Sequence, residues 1–341
     1  MAQINKPSDY FNTVLYTGNG STQSITGVGF QPDWTWIKAR NDAQEHNLYD
    51  SVRGATKGLQ SDGTGAEYTL ATSLTSFDSD GFSIGSFGGI NGSSDTEVAW
   101  NWLAGGTASS NTDGTITSTV SASTTSGFSI CTFTTSGGSS DTIGHGLGSV
   151  PSLIIVRPYT SVSSWFVYHQ SLGNGNYMRL NNTDAVASSS IWNNTTPTSS
   201  VFSLGLGAYG TSATSIAYCF AEKKGFSKFG SYTGNGSTDG PFVYTGFKPA
   251  MVITKNVSSV QGWYLLDNKR NPSNDMGKTL FPHDSAAEFD YGVNPSNFDM
   301  LSNGFKLRQA GANNVSGQTI IYMAFAENPL VGTNNIPATA R

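Results

Sequence analysis

Charge is scarce in this chain. Asp, Glu, Lys and Arg make up 12% of its 341 residues, against about 25% in an ordinary globular domain, so neutral polar groups must solvate its surface. The net charge is −5 and no Lys/Arg cluster stands out, which leaves no electrostatic footprint for nucleic acid or anionic lipid. No stretch approaches the roughly 18 apolar residues that span a bilayer, and Met1 to Tyr10 lack the apolar core of a signal peptide. No membrane insertion is expected, and folding is expected in a cytoplasm. Cysteine is equally rare: Cys131 and Cys219 are the only 2, too few for a disulfide framework and far from a C-x-x-C spacing. They read either as buried thiols or as a bridge between the first and last strands of one repeat. Helical periodicity is missing as well, because each segment with helical apolar spacing is short and broken by Gly or Asn.

What the chain has instead is Gly, Ser, Thr and Asn in abundance, together with 7 Trp, 14 Tyr and 19 Phe. So many rings need an interior, so the chain should fold. It also repeats itself. Tyr16-Thr17-Gly18-Asn19-Gly20-Ser21-Thr22 returns as Tyr232-Thr233-Gly234-Asn235-Gly236-Ser237-Thr238, with a degenerate copy over 134–140. We read the heptapeptide as a hairpin turn in which Asn-Gly supplies positive φ. Each copy continues with a Gly/Pro turn and an apolar strand ending in a cation, Lys38, Arg157 or Lys255. An aromatic strand follows: Asn47 to Asp50, Trp165 to His169, Trp263 to Asp267. Period-two segments come next, Gly81 to Gly85, Val201 to Gly205 and Gly304 to Arg308, and each copy closes on a strand apolar on both faces. The chain therefore reads as all-β, with three tandem related β-sandwich-like repeats, jelly-roll- or immunoglobulin-like, over 9–106, 126–225 and 226–329. A Ser/Thr/Gly-rich linker that holds one extra strand is expected over 107–125, and an extended C-terminal strap over 330–341. The second and third repeats meet at Lys223-Lys224-Gly225 without a spacer.

Chemistry is harder to find. His46, His145, His169 and His283 are scattered, and none stands three to five residues from another to form a metal pair. The heptapeptide lacks the Lys and the helix of a phosphate loop, and Asp78-Ser79-Asp80-Gly81 lacks the terminal Glu of a calcium loop. No catalytic residue, cofactor or metal is expected, and the chain does not read as an enzyme. A depolymerase would need two carboxylates about 5–10 Å apart across a groove. Two sets of residues remain as candidates for surface recognition or assembly. Trp34, Trp36, Trp165, Trp192 and Trp263 would stack sugars if exposed, or pack a core if buried. Asp50-x-x-Arg53 and Asp267-x-x-Arg270 would fix a loop or contact another chain, while the middle repeat has His169 and Leu172 there.

The heptapeptide, the Trp165 to Leu172 stretch, Ser302-Asn303-Gly304-Phe305-Lys306-Leu307-Arg308 and Ala324-Phe325-Ala326-Glu327-Asn328-Pro329 together resemble a β-rich repeat family of predicted virion proteins in marine tailed bacteriophages. The resemblance covers most of the chain and carries no catalytic or binding residue with it. It implies a structural protein on the virion surface, a tail fibre or tail tip, with a capsid decoration or head fibre as the alternative. It also implies other virion proteins as partners and a homo-oligomer, for which we expect a trimer formed through sandwich faces and the strap. A free carbohydrate-binding module that meets a host-surface glycan through exposed Trp is a third reading.

Overall fold

The computed structural model describes residues 3–138, 140–205, 212–274, 276–292, 298–332 and 337–339. Its regular structure is almost wholly antiparallel strand, as the period-two patterns require. One strand order recurs along the chain. In the first repeat Phe11–Thr17, Thr96–Trp102, Trp34–Ala39 and Asn47–Asp50 lie side by side. The second repeat places Phe128–Thr134, Thr214–Phe220, Leu153–Pro158 and Phe166–His169 in the same order, and the third places Ser227–Thr233, Thr319–Pro329, Phe247–Asn256 and Trp263–Asp267 likewise. The registers match residue for residue. Trp102 faces Trp34, Phe220 faces Leu153 and Phe325 faces Met251.

A second, smaller sheet covers one face of each main sheet. It consists of Gln23–Thr26 with Gly81–Ile84 and Leu74–Asp78 in the first repeat, Asp141–Gly144 with Val201–Leu204 in the second, and Phe242–Tyr244 with Gly304–Leu307 and Phe298–Leu301 in the third. Three peripheral cores lie between the sheets: Ile25, Phe82 and Ile84 pack against Ile37 and Ala99; Ile143 and Phe202 against Ile154 and Ala217; Val243 and Phe305 against Val252 and Ala324. The opposite faces of all three main sheets meet in a single central core. There Trp34, Trp36, Trp100 and Trp102 join Phe128, Tyr218 and Phe220 and also Phe229, Met323 and Phe325. The closing strands are thus covered on both sides, and this is why their sequences are apolar without alternation.

Equivalent positions converge on the centre. Phe325 meets both Trp102 and Phe220, with ring centroids 5.6 Å and 5.7 Å away. The repeats therefore close around an approximate threefold axis within one chain. Both faces of each main sheet are buried within the chain, one against the small sheet and the other at the axis.

Two further expectations change. The heptapeptide does not close a hairpin, because the strands before and after it belong to different sheets. It is a crossover loop pinned by a buried asparagine: Asn91 Nδ2 donates to Ser21 O in the first repeat and Asn314 Nδ2 to Ser237 O (2.7 Å) in the third. Gly18 and Gly234 recur because a Cβ there would lie 2.1 Å from Gly92 O or 2.3 Å from Val315 O. The stretch expected as a linker carries two strands, Ser109–Asn111 and Ser118–Ser123, which extend the second main sheet. Val120, 7% exposed, adds to that repeat's core. Of the expected strap, residues 333–336 and 340–341 lie outside the described residues, while Val331 bridges back to Pro337.

Candidate functional site

Every residue singled out as a candidate for surface recognition is buried. Trp34 and Trp165 are 0% exposed, Trp192 1% and Trp263 4%. Asp50 and Asp267 are 0% exposed, Arg270 1% and Arg53 7%. None of them is available to a sugar or to another chain. Instead, most of them build the seams between repeats.

The Asp–Arg pairs are three-residue knots. Arg53 Nε donates to Asp50 Oδ2 (2.6 Å), Nη1 to Glu67 Oε2 (2.9 Å) and Nη2 to Leu48 O (3.2 Å). Arg270 repeats this with Asp267 (2.5 Å), Glu288 (2.9 Å) and Leu265 O (3.0 Å). A buried charge is tolerated only when paired and hydrogen-bonded, and the fork of guanidinium donors meets both demands. In the middle repeat all three positions change together. His169 replaces Asp, Leu172 replaces Arg and Val186 replaces Glu, so no charge is left over.

Each knot reaches the next repeat. Tyr218 OH of the second donates to Asp50 Oδ2 of the first (2.9 Å), and Trp100 Nε1 of the first donates to Asp267 Oδ2 of the third (3.1 Å). His169 Nε2 of the second donates to Tyr322 O of the third (3.2 Å), while its Nδ1 accepts from Ser171 N. Burial lowers the His169 pKa to about 4 against the opposing Tyr322 contact, which keeps the ring neutral and in that tautomer. The three links run in one rotational sense and close a ring.

Backbone hydrogen bonds close the same ring: Glu67 N to Tyr159 O (2.7 Å), Val186 N to Val257 O (2.9 Å) and Glu288 N to Arg40 O (2.7 Å). Indole donors add to it, Trp165 Nε1 to Gln60 O (2.7 Å) and Trp263 Nε1 to Arg179 O (2.9 Å). The cations that end the apolar strands cap the neighbouring loops. Arg157 donates to the carbonyls of Gly63, Thr64 and Gly65, and Lys255 to that of Thr183. Lys38 points its ammonium at Ala39 O and Asp42 O. Burial lowers its pKa to about 8 although Glu97 and Asp62 oppose the shift. Sequence reading noticed these cations without their partners. It missed Arg40, Glu67 and Glu288 altogether, because their pairings depend on the closed ring.

The remaining expected chemistry is also structural. Asp80 accepts from Gly27 N and Gly29 N and holds a turn. His145 is anchored to Thr198 O, His46 accepts from Trp36 Nε1, and His283 accepts from Trp263 N. Cys131 and Cys219 are free thiols buried in the second peripheral core, not a bridge.

Solvent meets the loops and the outer faces of the small sheets. The turns that follow the cation-ended strands occupy equivalent positions in the three repeats, and two of them carry Val162 (76% exposed) and Val260 (66%). The architecture is a single-chain ring of three β-sandwiches around a shared core. The chain belongs to the family described as Domain of unknown function (DUF7483), whose model matches residues 6–329, that is, all three repeats. No curated protein and no solved structure matches it.

Proposed function

We propose that this is a structural protein of a bacteriophage virion, a tail appendage of the fibre or tail-tip kind that offers its loops to the host surface. The observation that carries the reading is the use of the charged side chains. The buried ionic knots lock the repeats to one another, no knot lies open as a reaction centre, and the neutral Gly/Ser/Thr surface ends in threefold-related loops. The resemblance of its repeat motifs to predicted phage virion proteins supports the same placement. A head decoration is the second reading, favoured by the approximate threefold arrangement, which suits a position on a symmetry axis of a shell. Burial of the tryptophans removes the support for a free carbohydrate-binding module working through them.

Immunogold labelling of purified particles with antibody against this chain tests the proposal. Gold at the tail is the expected result. Gold on the capsid transfers the protein to the head, and particles without gold overturn the virion reading.

A further inference from the structure

The three repeats act as controls for one another: an exposed side chain found in a single repeat is not one that the shared fold requires. One place gathers several such departures. On the outer face of the third small sheet stand Phe242 and Tyr244, 45% and 56% exposed. The registers equate them with Ser24 and Thr26 in the first repeat and Thr142 and Gly144 in the second. The fold thus builds this strand without aromatic rings on its solvent side, and large exposed rings carry a solvation cost that a structural role would not require.

Tyr244 lines a recess of about 430 Å³ where the second repeat runs into the third, and Lys223, Lys224 and Lys228 line the same recess. These lysines are departures too. Lys228 stands where the other repeats have Asn12 and Ser129, and Lys223-Lys224 where the first repeat closes with Gly105-Gly106. The turn that carries them is rigid. Phe226 N and Ser227 N both donate to Lys223 O, Ile4 N donates to Lys224 O (3.1 Å), and Gly225 at φ +76° leaves no room for a Cβ beside Ile4 O. Lys224 is exposed, and no side-chain partner for it is present among the described residues. Lys228 pairs with Glu222 (2.7 Å) while remaining about one-third exposed. With Lys228 paired to Glu222, the exposed Lys224 adds a cation that no carboxylate among the described residues neutralises, in a chain whose net charge is −5.

An aromatic face beside ammonium groups carried on a hydrogen-bonded turn, in a space of this size, suits a ligand with an apolar face and an anionic edge. The apolar C–H face of a pyranose stacks on a ring, and a carboxylate on that pyranose meets the cations. We propose that the recess binds a carboxylated sugar of an acidic polysaccharide or glycan, its ring on Tyr244 and its carboxylate held by Lys224 and Lys228. The site stands apart from the inter-repeat seams and from the proposed virion placement. It holds wherever the protein is located.

Calorimetric titration of the full chain with a hexagalacturonate and with a sialyl-lactose, each beside its neutral counterpart, tests the inference. Binding of at least one acidic probe is expected, with its neutral counterpart weaker by about tenfold or more. Tyr244→Thr, which installs the first repeat's own residue, and Lys224→Gln should each abolish or weaken binding by a similar factor, while Tyr244→Phe retains it. Unchanged thermal melting of the variants shows that the loss is local. Failure of both acidic probes to bind, equal binding of the neutral sugars, or unaltered binding by Tyr244→Thr would overturn the assignment.

Discussion

Two residues show how burial dictates chemistry here. Glu97 is 0% exposed and neither of its carboxylate oxygens has a hydrogen-bond partner among the described residues. Burial, with Asp95 adding to it, raises its pKa from 4.5 to about 8 although Lys38 opposes the shift. The folded state therefore binds a proton that the unfolded state releases. The protonated carboxyl is accommodated below pH 4.5, and stability falls as the pH rises from there through about 8. The equivalent positions in the other repeats are Ser215 and Ile320. Glu97→Gln should remove this slope and raise stability near neutral pH by about 2–3 kcal/mol, read from urea unfolding at pH 5, 7 and 8.5. A variant as pH-dependent as the parent would show that Glu97 is not the source. Cys131 and Cys219 form a second case. Burial pushes the Cys219 thiol up, and the Cys131 contact adds to the shift, so native protein should be inert to a thiol-titrating dye and release 2 equivalents in denaturant. One equivalent or more titrating in the native state would contradict the burial.

At the scale of elements, the ionic knots make a sharper prediction. Arg53→Leu leaves the buried Asp50 and the half-buried Glu67 without their cation, which should cost about 3–5 kcal/mol. Replacing the whole set with what the second repeat carries, as Asp50→His, Arg53→Leu and Glu67→Val together, removes every unpaired charge and should cost less than the single change. Thermal denaturation of the two variants decides it, and a triple variant less stable than the single one would mean that the knot is required for more than charge balance. The crossover loops depend on Asn91 and Asn314, whose side chains serve several loop groups apiece. Asn314→Ala should lose about 2–3 kcal/mol and speed amide exchange over residues 234–238, while the corresponding loop of the first repeat stays protected.

For the whole molecule, the shared core implies a single cooperative unit. Phe325 packs on Trp102, Phe220, Phe226 and Phe229 from all three repeats. Phe325→Ala should destabilise the chain by about 3–5 kcal/mol without producing separate melting steps, and a calorimetric scan with a second transition would refute shared cooperativity. The purified chain should sediment at 36.0 kDa, because the faces that a trimer would bury are closed within it. Sedimentation at three times that mass would mean that another surface, the loops or the strap, joins copies.

The sequence alone determined what near neighbours decide. Period two set the strands, runs apolar on both faces marked the closing strands, and the repeated heptapeptide marked equivalent crossings, because backbone alternation and glycine sterics act over a few residues. It left the heptapeptide looking like a hairpin, since a positive φ at Gly20 turns the chain whichever sheet it enters next. It also left Trp34, Trp165 and Trp263 open between surface and core, because strand position says nothing of what covers the strand. Tertiary structure settled that question. Arg40 meets Glu288 across 248 residues and Trp100 meets Asp267 across 167, and no local pattern encodes such pairs. Only closure of three repeats on one axis turned their inner faces into a common core, took the charged pairs out of water and so gave them partners in the neighbouring repeat.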